Sequence, residues 1–147
     1  VDILLKEDVI HAIDCNEEWQ ESLFQADNLL VELSKGEMTD MGLNILKKNI
    51  STPASIISPL TRRLSKMHPD KIIMVVNDGY FSTRDQIYIR TANDNIDLGT
   101  LIAEIRPWAF SVGGKKEVAG VVIEKGELSR LGDALKGTIK QFSTQKE

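Results

Sequence analysis

Cysteine and histidine, on which many metal centres and redox sites depend, are scarce in the chain. Its 147 residues include one cysteine, Cys15, and two histidines, His11 and His68. A single cysteine excludes an internal disulfide, a zinc finger and a redox pair, and it fits a reducing cytosol, so we expect a cytoplasmic protein. No apolar run approaches the roughly 20 residues that span a bilayer, and residues 1–8 lack the basic start of a signal peptide.

Aromatic residues are also scarce, at 5% of the chain, whereas 41% of the residues are hydrophobic. This hydrophobic share and this length suit one compact domain with a buried core. The net charge of −4 is unevenly distributed: residues 1–46 carry eleven acidic and two basic side chains, and residues 47–147 carry eleven acidic and sixteen basic ones. Two interpretations stay open, a pair of solvated faces or an acidic arm on a basic body that can contact polyanions.

The first part of the chain predicts a helix. Asp14 and Glu17 form a capping-box pattern, and apolar residues then recur at helical spacing until Gly36. These apolar residues are Trp19, Leu23, Ala26, Leu30 and Leu33. We therefore predict a helix over residues 15–35 and treat residues 1–46 as an acidic, mainly helical N-terminal segment.

Start signals for two further helices follow. Thr39 can cap a helix that ends near Asn49, and residues 51–53 (Ser-Thr-Pro) form another start signal. Pro59 would remove a backbone hydrogen bond inside the second helix, so this helix either kinks there or begins there with Ser58 as its N-cap. We interpret its basic residues as a solvated face: Arg62, Arg63 and Lys66.

The second half of the chain alternates between strand and helix patterns. Residues 71–77 are almost continuously apolar, as in a strand covered on both faces, and residues 86–91 alternate as in a second strand. A helix capped by Asp97, a strand over residues 117–124 and a last helix along the apolar stripe of residues 128–142 follow. The predicted fold class is α/β: a small mixed β-sheet flanked by helices, with a helical N-terminal lead.

Two groups of residues could contact an anion, the segment Gly113–Lys116 and the residues Tyr88 and Arg90. Gly113–Gly114 can reach positive φ or approach a ligand closely, and Lys115–Lys116 adds two ammonium groups in what we predict to be a loop. The same composition also makes an ordinary turn with solvated lysines. Tyr88 and Arg90, on one face of their strand, can stack on a base and hold a phosphate, or they can form a polar outer face.

The segment Gly113–Gly120 also carries a family resemblance. Its pattern Gly-Gly-Lys-x-x-Val-Ala-Gly resembles the Gly-Gly-His-x-x-Ala-Ala-Gly signature of the DHH phosphoesterase superfamily. That signature belongs to the C-terminal, DHH-associated domain of RecJ-type exonucleases. A buried strand, a strand that ends at Arg90–Thr91 and a helix that begins at Asp97–Leu98 precede it in the order of the family. Residues 47–147 are therefore identified as a DHH-associated-like α/β domain, in which Lys115 replaces the histidine of the signature.

The resemblance implies a domain that grips single-stranded nucleic acid and presents it to a separate DHH domain with two manganese or magnesium ions. This chain has no Asp-His-His motif, and Lys115 keeps a cation but loses a group that titrates near neutrality. We therefore expect no catalysis, no cofactor and no metal. The residues expected to bind nucleic acid are Arg90, Thr91, Gly113, Gly114, Lys115 and Lys116.

Three functional hypotheses follow. We favour a non-catalytic RecJ-like replication factor, similar to the archaeal ones, that binds single-stranded DNA weakly or docks on the GINS complex and the MCM helicase. The departure at Lys115 and the acidic N-terminal segment support this hypothesis. The second is the excised substrate-binding domain of an active exonuclease or oligonucleotide phosphodiesterase. The third is an adaptor that binds only protein, because an acidic chain with few aromatics is a poor general binder of single strands.

Overall fold

The computed structural model describes residues 27–145. Residues 27–34 are helical, and the earlier part of the helix predicted over residues 15–35 lies outside the described residues. The chain divides into two compact units, Val1–Lys35 and Gly36–Glu147. Residues 39–42 and 45–50 are strands of the second unit, and the domain boundary predicted at residue 46 stays a prediction.

The second unit contains one six-stranded mixed sheet with three helices. Its elements are β1 (Thr39–Gly42), β2 (Ile45–Ile50), α1 (Ile57–Met67), β3 (Ile72–Asn77), β4 (Arg84–Arg90), α2 (Leu98–Ile105), β5 (Ser111–Gly114), β6 (Val118–Glu124) and α3 (Leu128–Gln145). The strand order is β1-β2-β3-β4-β6-β5. Only β2 and β3 are parallel neighbours; the other adjacent strands are antiparallel. The predicted α/β fold class is confirmed.

The main core lies between one sheet face and helices α2 and α3. Every residue of β3 is buried, as predicted for a strand covered on both faces, because α1 packs on its second face. In β4 the buried residues alternate with half-buried ones, so Gln86, Tyr88 and Arg90 share the outer face, as predicted. The aliphatic core side chains that are fully buried include Leu98, Leu101, Ile105, Leu131 and Leu135. Asp97 caps α2 as predicted, since its carboxylate oxygen accepts the N–H of Gly99 at 2.8 Å.

Residues 39–50 form a hairpin, so the helix predicted there is wrong. Gly42, Leu43 and Asn44 all have positive φ, at 84°, 55° and 64°, which a right-handed helix excludes. The following strand pairs with β3 in parallel, from Ile45 opposite Ile72 onward. Pairing with a distant strand therefore overrides the local helical spacing of the apolar residues.

Helix α1 begins at Ile57, later than the signal at residues 51–53. Pro59 lies in its first turn, where a backbone N–H would have no partner within the helix, so the helix continues past it. The N-cap is Ile56, without a capping side-chain bond, and not Ser58. His68 is the C-cap, and its N–H donates to the carbonyl oxygen of Leu64.

The predicted Gly-Gly loop is also wrong in its placement, because Gly113 and Gly114 are the last two residues of the edge strand β5. Gly114 has φ 147°, and a Cβ there would overlap the carbonyl oxygen of Val118. Gly113 is different, since a Cβ at this position would have no atom within 4 Å. Only Gly114 is therefore required by the backbone of the β5–β6 turn.

A buried amide fixes the opposite end of the sheet. Asn77, fully buried at the end of β3, accepts the N–H groups of Thr52 and Gly79 at 3.0 Å each. Its amide nitrogen also donates to the carbonyl oxygen of Thr52 at 3.0 Å. This one side chain therefore holds the β2–α1 connection against the β3–β4 turn.

We predict that Asn77→Ala lowers the free energy of unfolding by roughly 2–3 kcal/mol, because it leaves three partly buried backbone groups without partners. Asn49→Ala, the same change at an exposed position of β2, is the matched control and is expected to cost less than about 0.5 kcal/mol. Urea unfolding followed by circular dichroism measures both. Equal losses in the two variants would contradict the anchoring role of Asn77.

Candidate nucleic-acid interface

A cleft of about 610 Å³ opens where the end of α1, the end of β4 and the β5–β6 turn meet. Four cations line it, namely Arg62 and Lys66 from α1, Arg90 from β4 and Lys116 from the turn. The other lining residues are Ser65, Pro69, Thr91, Ala92, Asn93, Asp94, Ile96 and Glu117. We call this feature the basic cleft.

The four cations of the basic cleft have no carboxylate partner among the described residues. Within residues 27–145, no Asp or Glu oxygen lies within 4.0 Å of their side-chain nitrogens. At the other end of β4 the cations are paired: Arg84 Nε lies 3.0 Å from Glu124 Oε1, and Lys125 Nζ lies 3.1 Å from Asp85 Oδ1. Among the cations at the two ends of β4, those at the cleft end therefore have no ion-pair partner within residues 27–145, whereas those at the other end do.

Backbone hydrogen bonds hold the β5–β6 turn against this cleft. The carbonyl oxygen of Lys116 accepts the N–H of Leu98, the first residue of α2, at 2.8 Å. The carbonyl oxygen of Glu117 accepts the N–H of Thr91 at 3.0 Å. Because these two bonds hold the turn against α2 and the end of β4, the side chain of Lys116 lines the same cleft as the side chain of Arg90.

The structure brings together only part of the predicted binding set. Arg90, Thr91 and Lys116 line the basic cleft, whereas Gly113, Gly114 and Lys115 do not. Thr91 is buried, and its hydroxyl oxygen accepts the N–H of Asn93 at 3.0 Å, so it shapes the loop that forms one cleft wall. The three residues outside the cleft are exposed along β5 and at the start of the turn.

Two of the cleft residues, Arg62 and Lys66, belong to the helix face that the sequence predicts to be solvated. Arg62 and Lys66 are four residues apart on α1, so they project from the same side of the helix. That side faces the end of β4, whereas Arg63 does not line the cleft. The i, i+4 spacing of the cations was the available signal, but it does not reveal which element the helix faces.

The described residues offer no metal centre of the kind that DHH nucleases use. Within residues 27–145, no group of three His, Cys, Asp or Glu side chains is placed to hold a metal ion. In the same part of the chain, no helix has both the length and the apolar character needed to cross a bilayer.

Comparison with known proteins identifies the fold. No family model matches the chain, and no curated protein matches its sequence. RecJ from Thermus thermophilus, solved with Mn²⁺, aligns with a TM-score of 0.60 and 11% identity over 83% of this chain and 17% of RecJ. The pGpG-specific phosphodiesterase PggH from Vibrio cholerae aligns with a TM-score of 0.58 and 14% identity over 87% of this chain and 42% of PggH. CDC45 from Entamoeba histolytica aligns with a TM-score of 0.57 and 11% identity over 79% of this chain and 28% of CDC45.

These likenesses confirm the fold that the Gly-Gly signature predicts. The chain spans less than a fifth of RecJ and less than half of PggH or CDC45. The protein therefore has the fold of one part of RecJ and of other DHH-domain proteins.

Proposed function

We propose that this protein is a RecJ-like domain that binds single-stranded nucleic acid through the basic cleft and does not cut it. The observation that carries the proposal is a set of four cations in one cleft that have no carboxylate partner within residues 27–145. Such cations around a concave surface attract a polyanion, and each phosphate contact releases counterions into solution.

The two walls of the basic cleft can contact one phosphodiester backbone together. Arg62 and Lys66 project from the helical wall, and Arg90 and Lys116 project from the sheet and turn. An arginine can bind two oxygens of one phosphate, whereas a lysine acts as a point charge. The cleft also contains the carboxylates of Asp94 and Glu117, which offset half of this positive charge. We therefore expect weak binding, with a Kd on the order of micromolar at low salt.

The absence of catalysis is part of the proposal. Two-metal hydrolysis needs clustered ligands that hold ions about 3.5–4 Å apart, and residues 27–145 do not present such a cluster. Lys115 replaces the histidine of the family signature, and it lies outside the cleft lining. Metal-dependent hydrolysis of an oligonucleotide by the pure chain would contradict this part of the proposal.

We predict that Arg90→Ala with Lys116→Ala weakens binding of a labelled oligothymidylate at least tenfold at low salt. The slope of log K against log salt should become shallower by about 1.4, because each lost contact to a single strand contributes about 0.7. Fluorescence anisotropy over a salt series measures both quantities.

The control for this prediction is Lys47→Ala with Lys136→Ala, which removes the same charge. These two lysines line a separate hollow beside Met74, on the sheet face that packs against α3. The control variant should retain most of the affinity and the salt slope of the wild type. Equal losses in both double variants would show attraction by overall charge and would contradict a site at the cleft.

Adjacent lysines give a second, sharper prediction. Lys116 lines the basic cleft and Lys115 does not, although both belong to the set predicted from the sequence. Lys116→Ala should therefore weaken oligothymidylate binding several-fold more than Lys115→Ala does, in the same anisotropy assay. A larger loss from Lys115→Ala would move the phosphate site to the exposed edge of β5.

We also propose docking on the GINS complex and the MCM helicase, which rests on the resemblance to archaeal RecJ-like replication factors. A pull-down of the full chain from its native extract after nuclease treatment tests this docking, and recovery of both complexes is the expected result.

The alternative function is that of the substrate-binding part of an exonuclease or phosphodiesterase, favoured by the small share of RecJ and PggH that the chain spans. Recovery of neither complex, together with salt-sensitive binding of single strands, would select the alternative.

A further inference from the structure

The sheet face that carries Arg90 continues beyond the basic cleft onto β6 and β5. Helix α1 packs over β3 and β4 on this face, and no helix of residues 36–145 packs over β6 and β5 there. Ser111 and Gly113 of the edge strand are exposed. Facing pairs of β4 and β6 residues on this surface are Arg84 with Glu124, Gln86 with Val122, Tyr88 with Gly120 and Arg90 with Val118.

Tyr88, Gly120 and Gly113 form one row across the three strands. Tyr88 is the partner of Gly120, and Gly120 is the partner of Gly113. A Cβ placed on Gly120 would lie 3.2 Å from Cε1 and 3.4 Å from Cζ of Tyr88, so the tyrosine ring lies over this glycine. Beside it, Gly113 leaves bare backbone with no atom within 4 Å of a Cβ position. The row spans two strand spacings, about 10 Å.

The surroundings of the row are apolar on its sides and charged at its ends. Val118 and Val122 flank Gly120 along β6, and both are half-buried. Arg90, which lines the basic cleft, is two residues from Tyr88 on the same face, about 7 Å along the strand. At the far end, Arg84 pairs with Glu124 and its guanidinium lies 3.6 Å from the centre of the Phe110 ring. Of these two ends, the cleft end is therefore the one that offers a cation to a phosphate.

We propose that the Tyr88–Gly120–Gly113 row is a base-stacking subsite for the strand whose phosphate lies at Arg90. The inference rests on the proposed function, because the phosphate at Arg90 places the base. A flat base can stack on the outer face of the tyrosine and cover the bare backbone at Gly113, and the valines can contact its edges. Such stacking tolerates any base, since every base has an apolar π-face.

A structural role for the tyrosine makes a different prediction at Gly113. An aromatic ring over a cross-strand glycine also stabilises a sheet by covering exposed backbone. That role accounts for the contact between Tyr88 and Gly120, but it requires nothing of Gly113, which the ring does not cover. A side chain at Gly113 fills the subsite without touching the fold, and so it separates the two roles.

The test compares two probes of equal length and charge, an oligothymidylate and an abasic deoxyribose-phosphate oligomer. The full-length wild-type chain should bind the thymidylate roughly tenfold more tightly, which is the contribution of stacking. Gly113→Val and Tyr88→Leu should make the affinities for the two probes equal. Tyr88→Phe should keep the ratio of thymidylate affinity to abasic affinity, because the ring remains. Ser111→Val, on the same face of the same strand, is the matched control and should also keep it.

The outcomes separate the stacking subsite from the nucleic-acid binding on which it rests. Equal wild-type affinities for both probes overturn the stacking subsite and leave phosphate binding intact. Binding of neither probe overturns the proposed function and the subsite together. Equal effects of Gly113→Val and Ser111→Val overturn the assignment to this row. If Gly113→Val unfolds the chain, Tyr88→Phe and Tyr88→Leu decide, because only loss of the ring should reduce the ratio.

Discussion

Two backbone hydrogen bonds determine where the candidate site lies. The N–H of Thr91 donates to Glu117 at 3.0 Å, and the N–H of Leu98 donates to Lys116 at 2.8 Å. Together they join the end of β4, the start of α2 and the β5–β6 turn. Without them the turn would be a free hairpin end, and its lysine would have no fixed relation to Arg90. The antiparallel pairing of β4 with β6 thus positions Arg90 and Lys116 in the basic cleft as well as stabilising the sheet.

Local charge explains how an acidic chain can present a site for a polyanion. The net charge is −4, yet the basic cleft brings four cations together and leaves them without carboxylate partners within 4.0 Å in the described part of the chain. At the opposite end of β4 the cations are paired with Glu124 and Asp85. At physiological ionic strength a charge acts over about 8 Å, so a ligand at the cleft senses the local cations more than the distant acidic residues.

Local sequence patterns predict the elements whose conformation depends mainly on neighbouring residues in the chain. The continuous apolar run of β3, the alternation of β4 and the Asp97 cap of α2 all appear as expected. The β1–β2 hairpin could not be predicted in the same way, because three positive φ angles and parallel pairing with β3 override an apolar spacing that also suits a helix.

The candidate site was predictable only in part for the same reason. Two of the cleft residues could be predicted from local patterns. Arg90 lies on a predicted strand face, and Lys116 lies in the Gly-Gly-Lys-Lys segment. The positions of Arg62 and Lys66 depend on how α1 packs over the sheet, which no spacing within the helix specifies. The local pattern around Gly113 and Gly114 predicts a loop, but the pairing of these residues with β6 makes them part of a strand.

Binding of single strands at the basic cleft can be located by an NMR titration of the ¹⁵N-labelled chain with an oligothymidylate at low salt, read as shifts of assigned amide and arginine side-chain signals. Binding at the basic cleft should give salt-sensitive shifts concentrated at residues 62–66, 90–94 and 116–117. Shifts concentrated around Lys47 and Lys136 on the opposite sheet face, or no shifts at millimolar oligonucleotide, would contradict it.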